Sequence, residues 1–297
     1  MRSFIKAIPA IRPPFLILAP ICVNVGLATA HYEGHAFSAW FAILALVGAI
    51  FAAMWVNTLN ELQDFTSGLD FLTLRTPFSG GSGVLVQTPA LFNAVKGWLY
   101  LSAVVTLLIG TVLVYELGTS LLPIGCLGVV IVLTYTRQLN KLPWLCAIAP
   151  GVGFGVLMSV GGYLTQNAPA SMLIWLVSFV SLFPINNLLI VNQLPDIEAD
   201  RQGGRRHLAI AYGDDMAITV YSVFLLLAII LLISLVASAM LPVVSLLTLM
   251  PLLLGVVALT KLIELKKDIR RSPKTMAMVV ACANLTPLVL SLTLWFK

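Results

Sequence analysis

Two short stretches hold the side chains best suited to chemistry in an otherwise apolar chain. The first is Asn57-Thr58-Leu59-Asn60-Glu61-Leu62-Gln63-Asp64, continuing through Gly68 to Asp70. The second is Asn192-Gln193-Leu194-Pro195-Asp196-Ile197-Glu198-Ala199-Asp200. On a helix, residues three and four apart share a face. Asn57, Asn60 and Asp64 keep that spacing, and so do Asn192, Asp196 and Asp200. Asp70 lies beyond that face, but Gly68 offers the helix a place to end, so that Asp70 can fold back from a loop. Two converging rows of carboxylates repel each other and keep protons unless a cation joins them. An all-oxygen donor set of this kind suits Mg²⁺ or Mn²⁺, and Mg²⁺ commonly links a few carboxylates to phosphate oxygens. The plainer alternative is a pair of solvated acidic loop ends. The recurrence of Asn-x3-Asp weighs against it.

Basic residues follow both stretches. Arg75-Thr76-Pro77-Phe78-Ser79-Gly80-Gly81-Ser82-Gly83 is rich in small residues, and exposed backbone amides in such loops cradle anions well. Arg137 and Lys141 lie between the fourth and fifth apolar runs, and Arg201, Arg205 and Arg206 follow the second acidic stretch. Carboxylate rows, basic residues and an apolar interior together suit a substrate with a diphosphate head and a hydrocarbon tail. Pro195 either kinks a helix so as to aim Asp196 inward or is an ordinary membrane-helix proline. His207 is expected to be solvated at the membrane interface, and Asp214 and Asp215 to cap the helix that follows them.

The elements that must position these groups are membrane helices. Of 297 residues, 60% are hydrophobic and 10% charged, against about 25% charged in soluble domains. The composition predicts an all-α, polytopic membrane protein. Apolar runs lie near 14–31, 37–57, 91–115, 118–136, 143–164, 171–192, 215–238, 240–262 and 275–296, nine in all. With the amino terminus inside, 16 of the 17 Lys and Arg residues fall on inner segments, so the positive-inside rule selects a cytoplasmic amino terminus and nine spans around a central cavity. Both acidic stretches then face the cytoplasm. They are four helices apart, as in a chain of two pseudo-repeat halves, about 14–136 and 143–262, with a ninth helix at 275–296. The net charge of +5 reports this topology, and nucleic acid is not expected as a partner. Cys22, Cys126, Cys146 and Cys282 all fall in apolar runs and form no CxxC, which reads as buried thiols and not as a disulfide or zinc framework.

The pattern Asn60-x3-Asp64-Phe65-x2-Gly68-x-Asp70, followed by Arg75-Thr76-Pro77, resembles the first motif of the UbiA superfamily of intramembrane prenyltransferases. Asn192-x3-Asp196-Ile197-Glu198-x-Asp200-Arg201-x2-Gly204-Arg205-Arg206 resembles the second. The Gly68 spacing is most similar to the branch of 1,4-dihydroxy-2-naphthoate prenyltransferases that serves menaquinone synthesis, and Arg12-Pro13 resembles that family's start. The likeness covers nearly the whole chain, as one prenyltransferase domain over 1–297. It implies Mg²⁺, with Mn²⁺ as a substitute, held by Asn60, Asp64, Asp70, Asn192, Asp196 and Asp200. It implies diphosphate contacts from Asn57, Asn60, Arg75, Asn192 and Arg205, and catalytic parts for Asp64, Asp196, Tyr135, Arg137 and Lys141. The implied reaction transfers an isoprenyl group from a polyprenyl diphosphate to an aromatic acceptor, at a site opening to the cytoplasm from the cell's inner membrane. Membrane lipids would be the surrounding partners, and the sequence sets no oligomeric state. Glu61 and Gln63 stand where the family often has an Asp and an aromatic residue. The segment Tyr135 to Lys141 lacks the longer pattern typical of the menaquinone enzymes. These departures leave 4-hydroxybenzoate, homogentisate or a non-aromatic lipid open as acceptors. An ion-coupled transporter or a lipid-binding protein are the non-enzyme alternatives, and the clustering of acids on one face counts against the first.

Overall fold

In the computed structural model, residues 2–296 are described, and among them there are helices, turns and loops but no strand. Among the described residues, seven helices are long and apolar enough to cross a bilayer. In chain order the elements are α1 (Leu18–Tyr32), α2 (Ala39–Ser67), α3 (Pro89–Leu117), α4 (Thr119–Thr134), α5 (Pro143–Leu164), α6 (Met172–Gln193), α7 (Asp214–Ala237), α8 (Val243–Arg271) and α9 (Pro273–Trp295). The seven long ones are α2, α3 and α5 to α9. An eighth arises if α1 is joined to Ile8–Phe15, from which it is bent by 46°. The first apolar run is therefore not one straight span. Pro13 and Pro14 start a new helical turn after Arg12, whose backbone is left-handed at φ 53°. The fourth run is also shorter than expected: α4 falls below the about 20 residues that a straight crossing needs.

Helix α6 sits at the centre. Almost three quarters of its apolar window is buried (72%), and it packs against α1, α5, α7 and α9. The largest core is built around it: Val177, Val180, Ile190 and Val191 of α6 pack with Tyr221, Leu225 and Leu232 of α7 and with Leu252, Leu262, Met276 and Leu290 of α8 and α9. Lipid supplies no hydrophobic force between helices, so close packing of small residues has to hold them together. Ala42, Ala45, Ala49 and Ala53 make such a stripe on α2, facing Ala19, Val23 and Leu27 of α1. Helices α1 and α5 come closer still. A Cβ on Gly26 would stand 1.9 Å from the Ser159 carbonyl oxygen, so only glycine fits that crossing.

Helix α5 is the irregular member. Pro150 lies within it, and Gly151–Met158 winds as a π-helix. A widened turn of this kind leaves backbone groups to be satisfied from outside. Asn186 of α6 meets one of them, its Oδ1 accepting from the Gly151 N–H at 2.6 Å. The π segment also turns Gly153, Phe154, Leu157 and Met158 toward the cavity that α2, α3, α4 and α6 complete.

Candidate active site

Helix α2 carries the first acidic stretch and ends at Ser67, where Gly68 takes φ 82°. That left-handed turn favours glycine. The chain folds back through the short helix Leu69–Leu72, which buries Asp70 to 4% exposure. The second stretch is built differently. Helix α6 stops at Gln193, Asp196 sits in the turn that follows, and Asp200 lies on a separate short helix, Ile197–Gln202. Pro195 therefore belongs to the turn that ends α6 and does not kink a continuing helix. Asp196 and Asp200 are both buried.

These segments enclose a polar chamber of about 130 Å³ whose walls include Asn60, Glu61, Asp64, Asp70, Asn192, Asp196, Asp200 and Arg205. Asp64 and Asp196, from distant parts of the chain, share it. An apolar cavity of about 420 Å³ adjoins it, lined by α1 to α6. Arg12, Asn57, Asn60, Tyr135, Leu189 and Asn192 line both, and so mark the junction. Along α2 the apolar lining runs from Leu44 to Asn60, about 24 Å at the helical rise and most of the depth of a bilayer core, about 30 Å.

The loop after Asp70 closes the chamber. Glu61 anchors it, accepting from the Ser82 backbone N–H at 3.1 Å and from the Ser82 hydroxyl at 2.5 Å. Thr76 Oγ1 accepts from the Phe78 and Ser79 N–H groups. Gly81 is left-handed at φ 73°, and a Cβ there would come within 3.0 Å of Asp70 Oδ1. The Arg75 side chain donates to the Asp70 carbonyl oxygen at 3.0 Å. Behind the chamber, Cys146 donates to Asn140 Oδ1 at 3.1 Å and accepts from Gln193 Nε2 at 3.2 Å.

One cation ties the two stretches together. Arg205 donates through Nη2 to Asp64 Oδ1 and through Nη1 to Asp200 Oδ1 at 2.9 Å. Burial alone would lower the Arg205 pKa, but the charges of Asp64 and Asp200 outweigh it and hold the guanidinium protonated. Burial pushes Asp70 up to about 7, and Glu61 and Asp64 push it the same way. Burial likewise takes Asp196 to about 7, helped by the charge of Asp200 and opposed by Arg205. His207 is not solvated as its sequence position suggested. It is 1% exposed, with Nε2 at 3.3 Å from Asp200 Oδ2. Asp214 and Asp215 make no side-chain cap on α7; Asp215 pairs instead with Lys266 at 2.7 Å.

Among the described residues, no three carboxylate, histidine or cysteine groups already converge at metal-ligand distance. The fit to a cation is of another kind. Asp70 Oδ2, Asn192 Oδ1 and Asp196 Oδ1 are buried, lack a hydrogen-bond partner and line the one chamber. Buried acceptors left unpaired cost free energy. Mg²⁺ usually keeps several waters and takes only one or two carboxylates beside phosphate oxygens, so these three oxygens suit it.

The family model of the UbiA prenyltransferase family matches residues 18–286. The chain belongs to that family. Helices, motifs and chamber thus belong to a membrane prenyltransferase. The chain is 28% identical to the 1,4-dihydroxy-2-naphthoate octaprenyltransferase of Escherichia coli over 216 residues, 69% of this chain and 68% of the other. Two solved structures share the fold. One is of a digeranylgeranylglyceryl phosphate synthase, with a TM-score of 0.70 at 17% identity over all of both chains. The other is a UbiA homologue from Archaeoglobus fulgidus bound to DMAPP and Mg²⁺, with a TM-score of 0.68 at 14% identity, covering 98% of this chain and all of the other.

Within this UbiA family member the site residues expected from the sequence divide. Asn57, Asn60, Asp64, Asp70, Tyr135, Asn192, Asp196, Asp200 and Arg205 line the chambers. The amide of Asn57 is engaged with the backbone, donating to the Ile11 carbonyl at 3.0 Å, so it fastens the amino-terminal segment. Arg75 is exposed and lies along the loop. Arg137 and Lys141 are exposed and line neither chamber, because their turn directs Tyr135 and Asn140 inward instead. Sequence reading assigned no role to Arg12, which stands within electrostatic reach of Glu61, Asp64, Asp70 and Asp196. Its signal was a lone cation between Pro9 and Pro13-Pro14. Glu61 was seen only as a departure from the family pattern. Its bonds to Ser82 span 21 positions that no local periodicity connects.

Proposed function

We propose that this prenyltransferase moves an isoprenyl group from a polyprenyl diphosphate to a 1,4-dihydroxy-2-naphthoate-type aromatic acceptor. The observation that carries the reading is the junction itself: a small polar chamber rich in acids and cations opens onto an apolar cavity nearly as long as a bilayer core is thick. A diphosphate head fits the first and a prenyl tail the second. Asp70, Asn192 and Asp196, with Asn60 beside them, would hold Mg²⁺ or, in its place, Mn²⁺. Bound there, the ion supplies positive charge against the leaving diphosphate. Arg12 and Arg205 add fixed cations on the same side, and Arg75 orders the loop over it. The apolar walls exclude water from the allylic carbon as its C–O bond breaks. Tyr135 lines the junction where that carbon would lie. The acceptor ring then forms the new C–C bond and releases a proton, or its carboxylate as CO₂.

The naphthoate assignment is supported by the names of curated relatives from Escherichia coli, Bacillus subtilis and Mycobacterium leprae, at 26–28% identity; the match covers 58% of the Bacillus subtilis protein. The membrane topology in this reading has nine crossings, α1 and α4 included, in one domain. The amino terminus and chamber face the cytoplasm from the inner membrane, as the distribution of Lys and Arg favours. Incubating purified protein with radiolabelled geranyl diphosphate and Mg²⁺ tests the reading against a panel of 1,4-dihydroxy-2-naphthoate, 4-hydroxybenzoate and homogentisate. A prenylated naphthoate product is expected. Product formed only from another acceptor would displace the naphthoate assignment, and absence of any product would end the reading.

A further inference from the structure

Of the six residues that the sequence groups as one metal-binding set, five occupy two different states. Asp70, Asn192 and Asp196 each present a buried oxygen with no partner. Asp64 and Asp200 are already paired with a cation, because the Arg205 fork grips one oxygen of each. All three of these side chains are largely buried, at 14%, 4% and 18% exposure for Asp64, Asp200 and Arg205. The second oxygen of Asp200 faces His207 at 3.3 Å.

Arg205 is well supported in this place. Its own N–H donates to the Asp200 carbonyl at 2.9 Å, and the next N–H, of Arg206, donates to Asn140 at 2.8 Å. Its backbone is thus pinned while its long side chain reaches across to α2. A guanidinium and a divalent cation cannot both occupy the same carboxylate oxygens. A diphosphate, however, offers Arg205 an equally good bidentate partner. If the fork moves to phosphate oxygens, Asp64 and Asp200 are freed for the metal at the moment its anionic partner arrives.

We propose that Arg205 is an ion-pair latch that closes the two acidic stretches on each other and makes capture of a divalent cation conditional on the diphosphate. The inference rests on the prenyl-diphosphate reading above. Its consequence is an order of events. Metal alone binds weakly, since Asp70, Asn192 and Asp196 hold it beside the Arg205 charge and adding Asp64 and Asp200 to its donor set displaces a buried, paired cation. Metal and diphosphate bind strongly together. By linkage, each raises the affinity for the other by the same factor.

Mn²⁺ binding to the purified full chain, read from the EPR signal of free Mn²⁺, tests the latch without any turnover. Wild type, Arg205→Met and Arg205→Lys are titrated with Mn²⁺ alone, and wild type again with geranyl diphosphate present. Arg205→Met should bind Mn²⁺ alone on the order of tenfold more tightly than wild type, since a competing buried charge has gone. A merely structural role for Arg205, in which its loss disorders the site, would weaken binding. Arg205→Lys, which keeps the charge but loses the fork, should fall between, and it serves if the Met variant does not fold. Equal or weaker Mn²⁺ binding in the folded variants, with wild type still binding Mn²⁺ in the presence of geranyl diphosphate, overturns the latch and leaves the proposed function standing. No Mn²⁺ binding by wild type, even with geranyl diphosphate, removes the proposed function and the latch with it.

Discussion

The two acidic stretches share a spacing but not a construction. In the first, Asn57, Asn60 and Asp64 ride one unbroken face of α2, a helix that continues to Ser67 before Gly68 turns it back. In the second, only Asn192 is on α6; Asp196 stands in a turn and Asp200 on a separate short helix. The same Asn-x3-Asp spacing is met once by helical periodicity and once by a helix end and a turn that holds Pro195. What the contrast teaches is that one helix sets the spacing of Asn57, Asn60 and Asp64, whereas Asp196 and Asp200 are placed by separate elements. That fits the division of the donor set, with Asp196 offering a free oxygen and Asp200 held by Arg205.

The comparison can be broken most severely at the acids themselves. If both stretches serve one centre, Asp64→Ala and Asp196→Ala should each lower kcat/KM on the order of 10²–10³-fold. The double variant should be scarcely worse than either single, because residues that act as a unit are not additive. Prenyl transfer by the purified variants measures this. Independent, multiplying losses would show two separate sites.

Pro195→Ala asks whether the break in the second stretch matters. A lost turn that misplaces Asp196 should cost about tenfold in kcat/KM, since small displacements at a reacting centre are expensive. Unchanged kinetics would mean that a continuous helix serves the second stretch as well as it serves the first.

Gly81→Ala sharpens the comparison on the side of the first stretch. A Cβ in that left-handed turn strains the backbone by about 1–2 kcal/mol, and it also presses on Asp70 Oδ1. The KM for the diphosphate substrate should rise about fivefold, with a lower melting temperature in detergent. The smallest effect is expected from Glu61→Gln, which keeps an acceptor for Ser82 but drops the charge. The loop anchor should weaken by about 0.5 kcal/mol and the KM rise about twofold.

Much of this protein follows from sequence by simple physics. A chain with 10% charged residues and 60% hydrophobic ones has to satisfy its backbone in lipid, and helices do so within one segment. The acids and amides of the two stretches stand out because polar groups at helix ends in a membrane are costly to keep, and a spacing of three and four residues is a local property that sequence displays directly. Even the turn at Gly68 was legible, since a left-handed helix end selects glycine.

Tertiary structure decided the rest, for reasons that spacing does not encode. Arg205 meets Asp64 across 141 positions of chain, and Glu61 meets Ser82 across 21. Such pairs exist only once α2, α6 and their loops are packed, because ion pairing is set by distance in space. Arg12 lines the chamber from a segment bent by 46° from α1, and Arg137 stays outside because its turn carries Tyr135 inward. The short α4 and the π-helical turn of α5 are likewise properties of packing. Composition chose helices in a membrane and spacing chose the acids. Contact between distant segments chose which acids are paired with a cation and which remain open.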